Sequence, residues 1–492
     1  MKIGFRLLIL SAFASFSVNA QQGVVWESAI SVADGSIYGN IRPRIALSEG
    51  DNPVVLFGRS TGGEIFTARL NGASFDTPVA LLPSGESSYH ASWTGPDIAA
   101  YGNTIVVVYK AQPYTTANVY TVRSTDGGVT FSDTIRTDSH DIGQTWMPAL
   151  TMDDSGNPVV TYMTFDAAGG DERIAVVKSL DGGLSYQPQV NATESSPGVA
   201  CDCCAPEVLS SGTYQMVLYR NNEGNIRDGY AALSEDGGST FTSIANMDNL
   251  GWSIMSCPST GLHGTIIGDS AFVVSASKGE GPYRVYVSSV SLSGGINVSS
   301  VLMMDPPTDG AGDNQNYPRI SSENDTIVMV WEEREASNTN IKIAVTTDGL
   351  AETLVSFKAT VNADITGTQT KPDVIYSNGF VHVVYQDSPT GDVIYRKGMI
   401  TDVTGIEEYE LLNLTVSPNP AKGSCVVSGI EGVNIKSVKL TNALGESIRC
   451  QYQTLDNVIT VDLEGLESAG IYFIEVASMA NAIYKERIVV VK

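Results

Sequence analysis

STDGGVTF at residues 124–131, SLDGGLSY at 179–186 and SEDGGSTF at 234–241 write one pattern three times, S-x-D-x-G-x-x-aromatic, with their first serines 55 residues apart both times. The pattern specifies a hairpin turn. Asp126, Asp181 and Asp236 are placed to accept backbone N–H bonds, Gly128, Gly183 and Gly238 to take positive φ, and Phe131, Tyr186 and Phe241 to fill apolar gaps. A turn recurring at a fixed period of this length signals a repeat architecture, one supersecondary unit per repeat.

A second landmark runs through the same region. A proline followed within two residues by an apolar side chain recurs in RPRIAL, GPDIAA, MPALTM, APEVLS, YPRISS and KPDVIY, at Pro43, Pro96, Pro148, Pro206, Pro318 and Pro372. With Pro258 of CPSTGL the spacings are 53, 52, 58, 52, 60 and 54 residues. Each proline is followed by a β-rich run such as PVVLFG, TIVVVYK or TIVMVW, and a worn TTDGL at Thr346 keeps the turn's register in the sixth unit. These features predict an all-β chain: a β-propeller of seven blades, with six as the alternative, followed by a smaller domain. VVWESAISV near the start is expected to supply the outer strand that the last unit lacks, since radial repetition of small sheets limits exposed edges.

The repeated turn resembles the Asp box, or BNR repeat, of sialidases and related β-propellers, in which the box lies on turns remote from the active face. With CDCC, LYRNNEGNIRDGY and WSIMSCP, the propeller region is similar to bacterial sialidase-like proteins that carry a C-x-C-C segment and a later Cys-Pro. A true sialidase has three arginines for the substrate carboxylate, a tyrosine nucleophile assisted by glutamate, an aspartate acid and an early F/Y-R-I-P segment. Here IRPRI at 41–45 stands near that place in altered order.

Two segments outside the repeats read as addresses. Lys2 and Arg6 ahead of the apolar run from Leu7 to Phe16, with small residues ending at Ala20, have the layout of a cleavable secretory signal over 1–20. Nothing downstream approaches the roughly 18 uninterrupted apolar residues of a spanning helix. The propeller then occupies 21–404. Over 405–492 the chain reads LLNLTVSPNPAKGS, VKLTNALGESI, AGIYFIEV and YKERIVVVK, and is similar to the type A C-terminal sorting domain of the type IX secretion system of Bacteroidetes. The resemblance rests on the SPNP turn at Ser417 to Pro420, the N-x-x-G turn at Asn442 to Gly445, the GIYFIEV strand and Lys492. It implies a small Ig-like β-sandwich read by the export machinery, and a secreted or surface-attached protein. An ordinary Ig-like binding module is the alternative.

The charge excludes one class of partner. Lys plus Arg number 29 against 54 Asp plus Glu, a formal charge of -25, which repels nucleic-acid phosphates. Excess carboxylate also suits calcium held in turns. A monomer is expected. The 6 cysteines, in an oxidising compartment, are read first as disulfide partners, with Cys425 and Cys450 pairing locally in the tail.

In a propeller the segments entering the inner strands open near the axis on one face, so residues before the seven prolines are expected to converge. Candidates there are Arg42, His90, Trp93, His140, Trp146, Cys201, Cys203, Cys204, Trp252, Cys257, Asn316, Tyr317 and Lys371, with His263 just past Pro258. Trp93, Trp146, Trp252, Asn316, Tyr317 and Lys371 suit sugar rings and their hydroxyls. Cys201, Cys203, Cys204 and Cys257 suit a disulfide, or, with His90, His140 or His263, a zinc or copper site, although C-x-C-C is not the C-x-x-C of common zinc knuckles. Arg42, Arg220 and the Arg227–Asp228 pair are candidates for a carboxylate.

Three functions follow: an exported propeller that binds a glycan or soft metal at its axial mouth; a glycan-cleaving enzyme, an exo-α-sialidase or a lyase of acidic polysaccharide; and a redox or copper-handling protein.

Overall fold

The computed structural model describes residues 21–59, 61–139, 143–279, 281–304, 314–403, 414–429, 435–442, 447–448, 450–455, 458–466, 468–478 and 483–492. The expected signal segment 1–20, His140 and part of the N-x-x-G turn lie outside these residues. The chain divides at Asp402/Val403 into two compact units.

In the first unit the apolar runs after each landmark proline become the central strands of antiparallel sheets. Seven such sheets lie among the described residues. Their innermost strands, numbering the sheets one to seven in chain order, are Ile41–Ser48, Asp97–Tyr101, Thr145–Met152, Glu207–Ser211, His263–Ile267, Gln315–Glu323 and Gln369–Ser377. Sheet five departs from the landmark, because its inner strand starts five residues beyond Pro258.

Runs such as PVVLF are continuously apolar because both faces of each sheet are covered. Val54 and Leu56 pack on sheet two, whereas Val55 and Phe57 pack on sheet seven. Alternation along a strand sends successive side chains to opposite neighbours. Seven apolar clusters of this kind each join two consecutive sheets, and the cluster of Ile45, Val55 and Phe57 with Val384, Val393 and Tyr395 joins sheet seven to sheet one. The sheets therefore close a ring, a β-propeller. The N-terminal strands Gln21–Trp26 and Ile30–Ala33 pair with Val393–Val403, so the first residues of the unit complete its last sheet.

The three DGG turns are built alike. Asp126 Oδ1 accepts the Val129 and Thr130 N–H groups at 3.0 and 2.9 Å, and Asp126 Oδ2 accepts the Thr130 hydroxyl at 2.6 Å. Ser124 Oγ accepts from Gly128 N at 2.9 Å. Gly127 and Gly128 have φ of 72° and 89°, and a Cβ on Gly128 would lie 3.2 Å from Ile105 and 3.3 Å from Val54. Asp181 and Asp236 repeat the arrangement, and all three carboxyls are held down to about 2 by these donors. Carboxylates saturated by N–H and O–H groups are poorly suited to the calcium expected of turns. At Thr346 the worn version keeps the Leu350 N–H to Asp348 bond at 3.0 Å but runs into the short helix Ala351–Leu354.

The second unit is an eight-stranded β arrangement around one apolar core that includes Val427, Leu440, Ile459, Ile474 and Ile488. The SPNP turn lies within the strand Thr415–Lys422. Cys425 is buried in the core and Cys450 packs against it. Both are free thiols rather than the expected disulfide, as are the other four cysteines.

Candidate functional site

A bulge in the inner strands shapes the mouth. In sheet one the inner strand advances from Ile41 to Arg44 while its partner retreats only from Gly58 to Leu56. The same slip occurs at Trp146/Ala149, Asn316/Arg319 and Thr370/Asp373. The extra residue precedes proline each time and is left-handed: Arg42, Met147, Tyr317 and Lys371 have φ of 47°, 48°, 48° and 54°. That region is uncommon for residues with a Cβ, and it costs on the order of 1–3 kcal/mol where the surroundings enforce it.

In sheets two and four the bulge expands into an excursion. Ser88–Tyr89 and Asp97–Tyr101 both pair with Thr104–Ala111, with His90 to Pro96 looping out between them. Val199–Ala200 and Glu207–Ser211 both pair with Tyr214–Asn222, and the residues looped out between them are CDCCAP. The cysteines thus occupy the place in sheet four that Arg42, Tyr317 and Lys371 occupy in theirs.

Between sheets six, seven and one lies a cationic corner. Lys371 Nζ sits 3.0 Å from the Tyr317 ring centroid and 4.0 Å from Glu332 Oε2. Burial pulls the Lys371 ammonium down to about 8, against the favourable pull of Glu332, with Arg44 and Arg42 adding their repulsion. Burial raises the Glu332 carboxyl and the Tyr317 hydroxyl. Arg42 donates Nη1 to the Pro96 carbonyl at 2.6 Å, and burial together with Arg319 pulls it down to about 10. Asn316 turns its Oδ1 back to the Tyr317 N–H at 2.9 Å.

The looped-out cysteines gather on themselves. Cys204 N donates to the Cys201 carbonyl at 3.2 Å, and Cys201 Sγ lies 3.4 Å from both Cys203 Sγ and Cys204 Sγ. All three are buried. Arg227 Nη1 donates to Cys201 Sγ at 3.0 Å and reaches Cys203 Sγ at 3.8 Å. Hydrogen bonding with the other two thiols holds the Cys201 thiol far below its ordinary value, with Arg227 assisting, whereas Cys203 and Cys204 are pushed up. Cys257 is exposed and its sulfur lies within 4.8 Å of Cys203 Sγ and an Asp202 carboxylate oxygen.

Arg220 and Asp228 are consumed by backbone. Arg220 donates to the carbonyls of Thr260, Arg227 and Ala276 at 3.1, 2.6 and 3.0 Å. Asp228 accepts from Trp252 N, Gly251 N and Asn246 Nδ2 at 2.8, 3.0 and 3.0 Å. Both clamp the loop between sheets four and five, and neither is presented to a ligand. Trp252, expected as a sugar platform, is buried between the Arg220 guanidinium at 5.0 Å and the Tyr283 ring at 5.4 Å. Trp146 and Trp93 remain half-buried, 6.2 Å apart, and Tyr114 stacks on Trp146 at 5.4 Å.

Neither His90 nor His263 joins the cysteines. His90 Nε2 meets the Arg59 carbonyl at 2.9 Å and is packed against Gly58 and Gly95. His263 takes the Ile320 N–H on Nδ1 at 3.2 Å, and burial holds its imidazole well below its ordinary value, hence neutral. Among the described residues the groups able to hold a metal are Cys201–Cys203–Cys204 and Asp202–Cys203–Cys257, with no histidine in either. Sequence proximity to a landmark proline placed the imidazoles near the rim but said nothing of which blade interface each would fill.

Beneath the mouth, the residues just after the prolines, with His263, form a charged ring, and although Arg44, Arg319, Asp97, Glu207 and Asp373 are available guanidinium and carboxylate in the sequence, no motif sets them apart there. Arg44 lies 3.8 Å from Asp97, and Arg319 lies 3.2 Å from Glu207 and 3.9 Å from Asp373. Asp373, Asp97 and His263 each accept an N–H from the next inner strand, at Ile45, Leu150 and Ile320. Burial, reinforced by Asp97, pushes the Glu207 carboxyl up to about 8. The ring caps a cavity of about 560 Å³ lined by all seven inner strands. The recurring Pro-charged dipeptides PR, PD, PE, PR and PD were the available signal.

In the second unit, residues 415–491 match the family described as secretion system C-terminal sorting domain. The tail is a type IX sorting domain. It directs the chain to secretion or attachment at the cell surface and makes the export machinery a partner. No helix among the described residues is long and apolar enough to cross a membrane. Solved structures similar to the chain include a protein of unknown function from Dyadobacter fermentans, at 12% identity over 77% of this chain and 100% of that one, with a TM-score of 0.47. A Hadza microbial sialidase is similar at 11% identity over 75% and 68%, with a TM-score of 0.44, and a polysaccharide lyase at 9% over 73% and 90%, with a TM-score of 0.46. No curated protein matches the chain. These likenesses assign no reaction to it.

Proposed function

We propose that the exported propeller binds a carboxylate-bearing glycan at its axial mouth, as a monomer, with Arg42 and Lys371 meeting the carboxylate and Tyr317, Trp93 and Trp146 offering ring surfaces. The observation that carries this reading is the pair of cations on neighbouring sheets, each on a left-handed residue before proline. Strain of this kind persists where the surroundings enforce it and clusters at functional sites. Glu332 Oε2 accepts the Lys371 backbone N–H at 3.2 Å but stands 4.0 Å from Nζ, so the ammonium keeps donors for a ligand. The grouping, drawn from sheets six, seven, one, two and three of one chain, needs no second copy.

Calorimetric titration of the mature chain with sialyl and uronate oligosaccharides, beside their carboxyl-reduced counterparts, tests the reading. Expected is at least a tenfold preference for the acidic forms, weakened as pH rises through about 8 where Lys371 loses its proton, and lost in Arg42→Met and Lys371→Met. Equal affinity for the reduced sugars refutes it. The same mixtures assayed for free sialic acid or ultraviolet-absorbing unsaturated uronate address the alternative of a sialidase or lyase. Burial that raises the Tyr317 hydroxyl works against its use as an anionic nucleophile or base.

A further inference from the structure

The thiol group in the looped-out bulge of sheet four is a site the glycan reading leaves unused. We propose that Cys201, Cys203 and Cys204 form a three-coordinate, all-thiolate site for copper(I), with exposed Cys257 as the thiol through which the ion enters.

The geometry fits three sulfurs around one ion. A metal–thiolate bond of about 2.3 Å sets sulfur separations of about 4 Å in a trigonal site. The separations of Cys201 from Cys203 and Cys204 are 3.4 Å, and all three sulfurs lie within 4.8 Å of one another, so rotation of the side chains by about half an ångström at sulfur accommodates the ion. The three come from four consecutive residues on a loop tied at both ends, by Cys201 N to the Arg220 carbonyl at 2.7 Å and by the pairing of Glu207 with Leu218. The loop holds them together before any ion arrives.

A second observation is the environment of Arg227. Its guanidinium is buried, its Nε has no partner, and its carboxylate neighbour Asp228 is spent on the loop from Asn246 to Trp252. Its side-chain donors reach Cys201 and Cys203. A buried cation with sulfur as its counterpart calls for an anionic sulfur centre, and a metal trithiolate supplies one. Each thiol that ligates releases its proton to solvent.

The ligand set selects the ion. Soft thiolate donors favour copper(I) and zinc, and a structural zinc site closes with four ligands. Only three sulfurs meet here; the fourth, Cys257, is grouped with Cys203 and Asp202 at the surface. Three-coordinate thiolate suits copper(I), and the Cys203–Cys257 pair provides a step by which an ion passes from solvent to the buried three.

The test uses the mature full chain, reduced with a phosphine under nitrogen and titrated with copper(I) held by a bathocuproine chelator. One equivalent of copper(I) withheld from the chelator is expected. Iodoacetamide labelling read by mass spectrometry is expected to show Cys201, Cys203 and Cys204 protected by copper while Cys257 stays labelled. Cys203→Ser should lose at least 100-fold in copper affinity, and Cys425→Ser should lose none. Labelling unchanged by copper overturns the proposal without any variant. So does retention of one zinc with copper given up. Glycan titration of the same samples is an independent readout, since neither Arg42 nor Lys371 contacts the thiols.

Discussion

Arg220→Met is expected to destabilise the propeller by about 3–5 kcal/mol, the lower part of the range for three buried carbonyls left without a donor. The guanidinium is 1% exposed and supplies three hydrogen bonds to backbone carbonyls from the segments bounding sheets four and five. Each charge-assisted bond contributes about 1.5–3 kcal/mol, offset by several kcal/mol for taking the cation out of water. Methionine removes both terms and fills much of the volume, so what remains is three carbonyls deprived of a donor, at about 1–3 kcal/mol each before relaxation. The assay is equilibrium denaturation of the mature chain followed by tryptophan emission. All 5 tryptophans, Trp26, Trp93, Trp146, Trp252 and Trp331, precede residue 403, so the signal reports on the propeller and not on the tail. Trp252 should also change emission in the folded state, because it loses the cation 5.0 Å from its ring. A variant within about 0.5 kcal/mol of the parent that has lost acidic-glycan binding would refute the clamp and return Arg220 to the ligand site.

Two further outcomes follow from the ring and the tail. Glu207 titrates near 8 in the fold against 4.5 in the open chain, so the folded state holds a proton that the unfolded state gives up between those values. Its contribution is complete below about pH 4.5 and lost as pH rises through about 8; Glu207→Gln should flatten that part of the stability–pH curve, and an unchanged slope would show that another group sets it. Removing 405–492 in a host with a type IX system should leave the propeller in the periplasm; fractionation that finds the truncated chain outside at parental levels would show that the tail is not the address.

Local chemistry was legible before the fold. The Asp and Gly spacing of the DGG turns, the proline landmarks and the doubly buried apolar runs are properties of a few consecutive residues, and, apart from Pro258, which stands five residues before its inner strand, they mark the observed turns and strands. The tail was legible for the same reason, through SPNP and the strand GIYFIEV. The loop position of CDCC was readable from its place before Pro206, but not that it replaces a one-residue bulge, because that depends on how the partner strand is registered.

By itself, then, the sequence determined the repeat, the all-β class, the two units and the rim on which chemistry-bearing residues gather. Tertiary structure alone decided which of them meet. Ring closure brings Asp373 to the Ile45 N–H across 328 residues, spends Arg220 and Asp228 on backbone, and buries Trp252. It sends His90 and His263 to blade interfaces and leaves Cys201 and Cys203 to Arg227. Spacing along a strand sets how far a residue lies from the axis. The bulge and the neighbouring blade set which way it turns and what it touches, and those are properties of the closed ring.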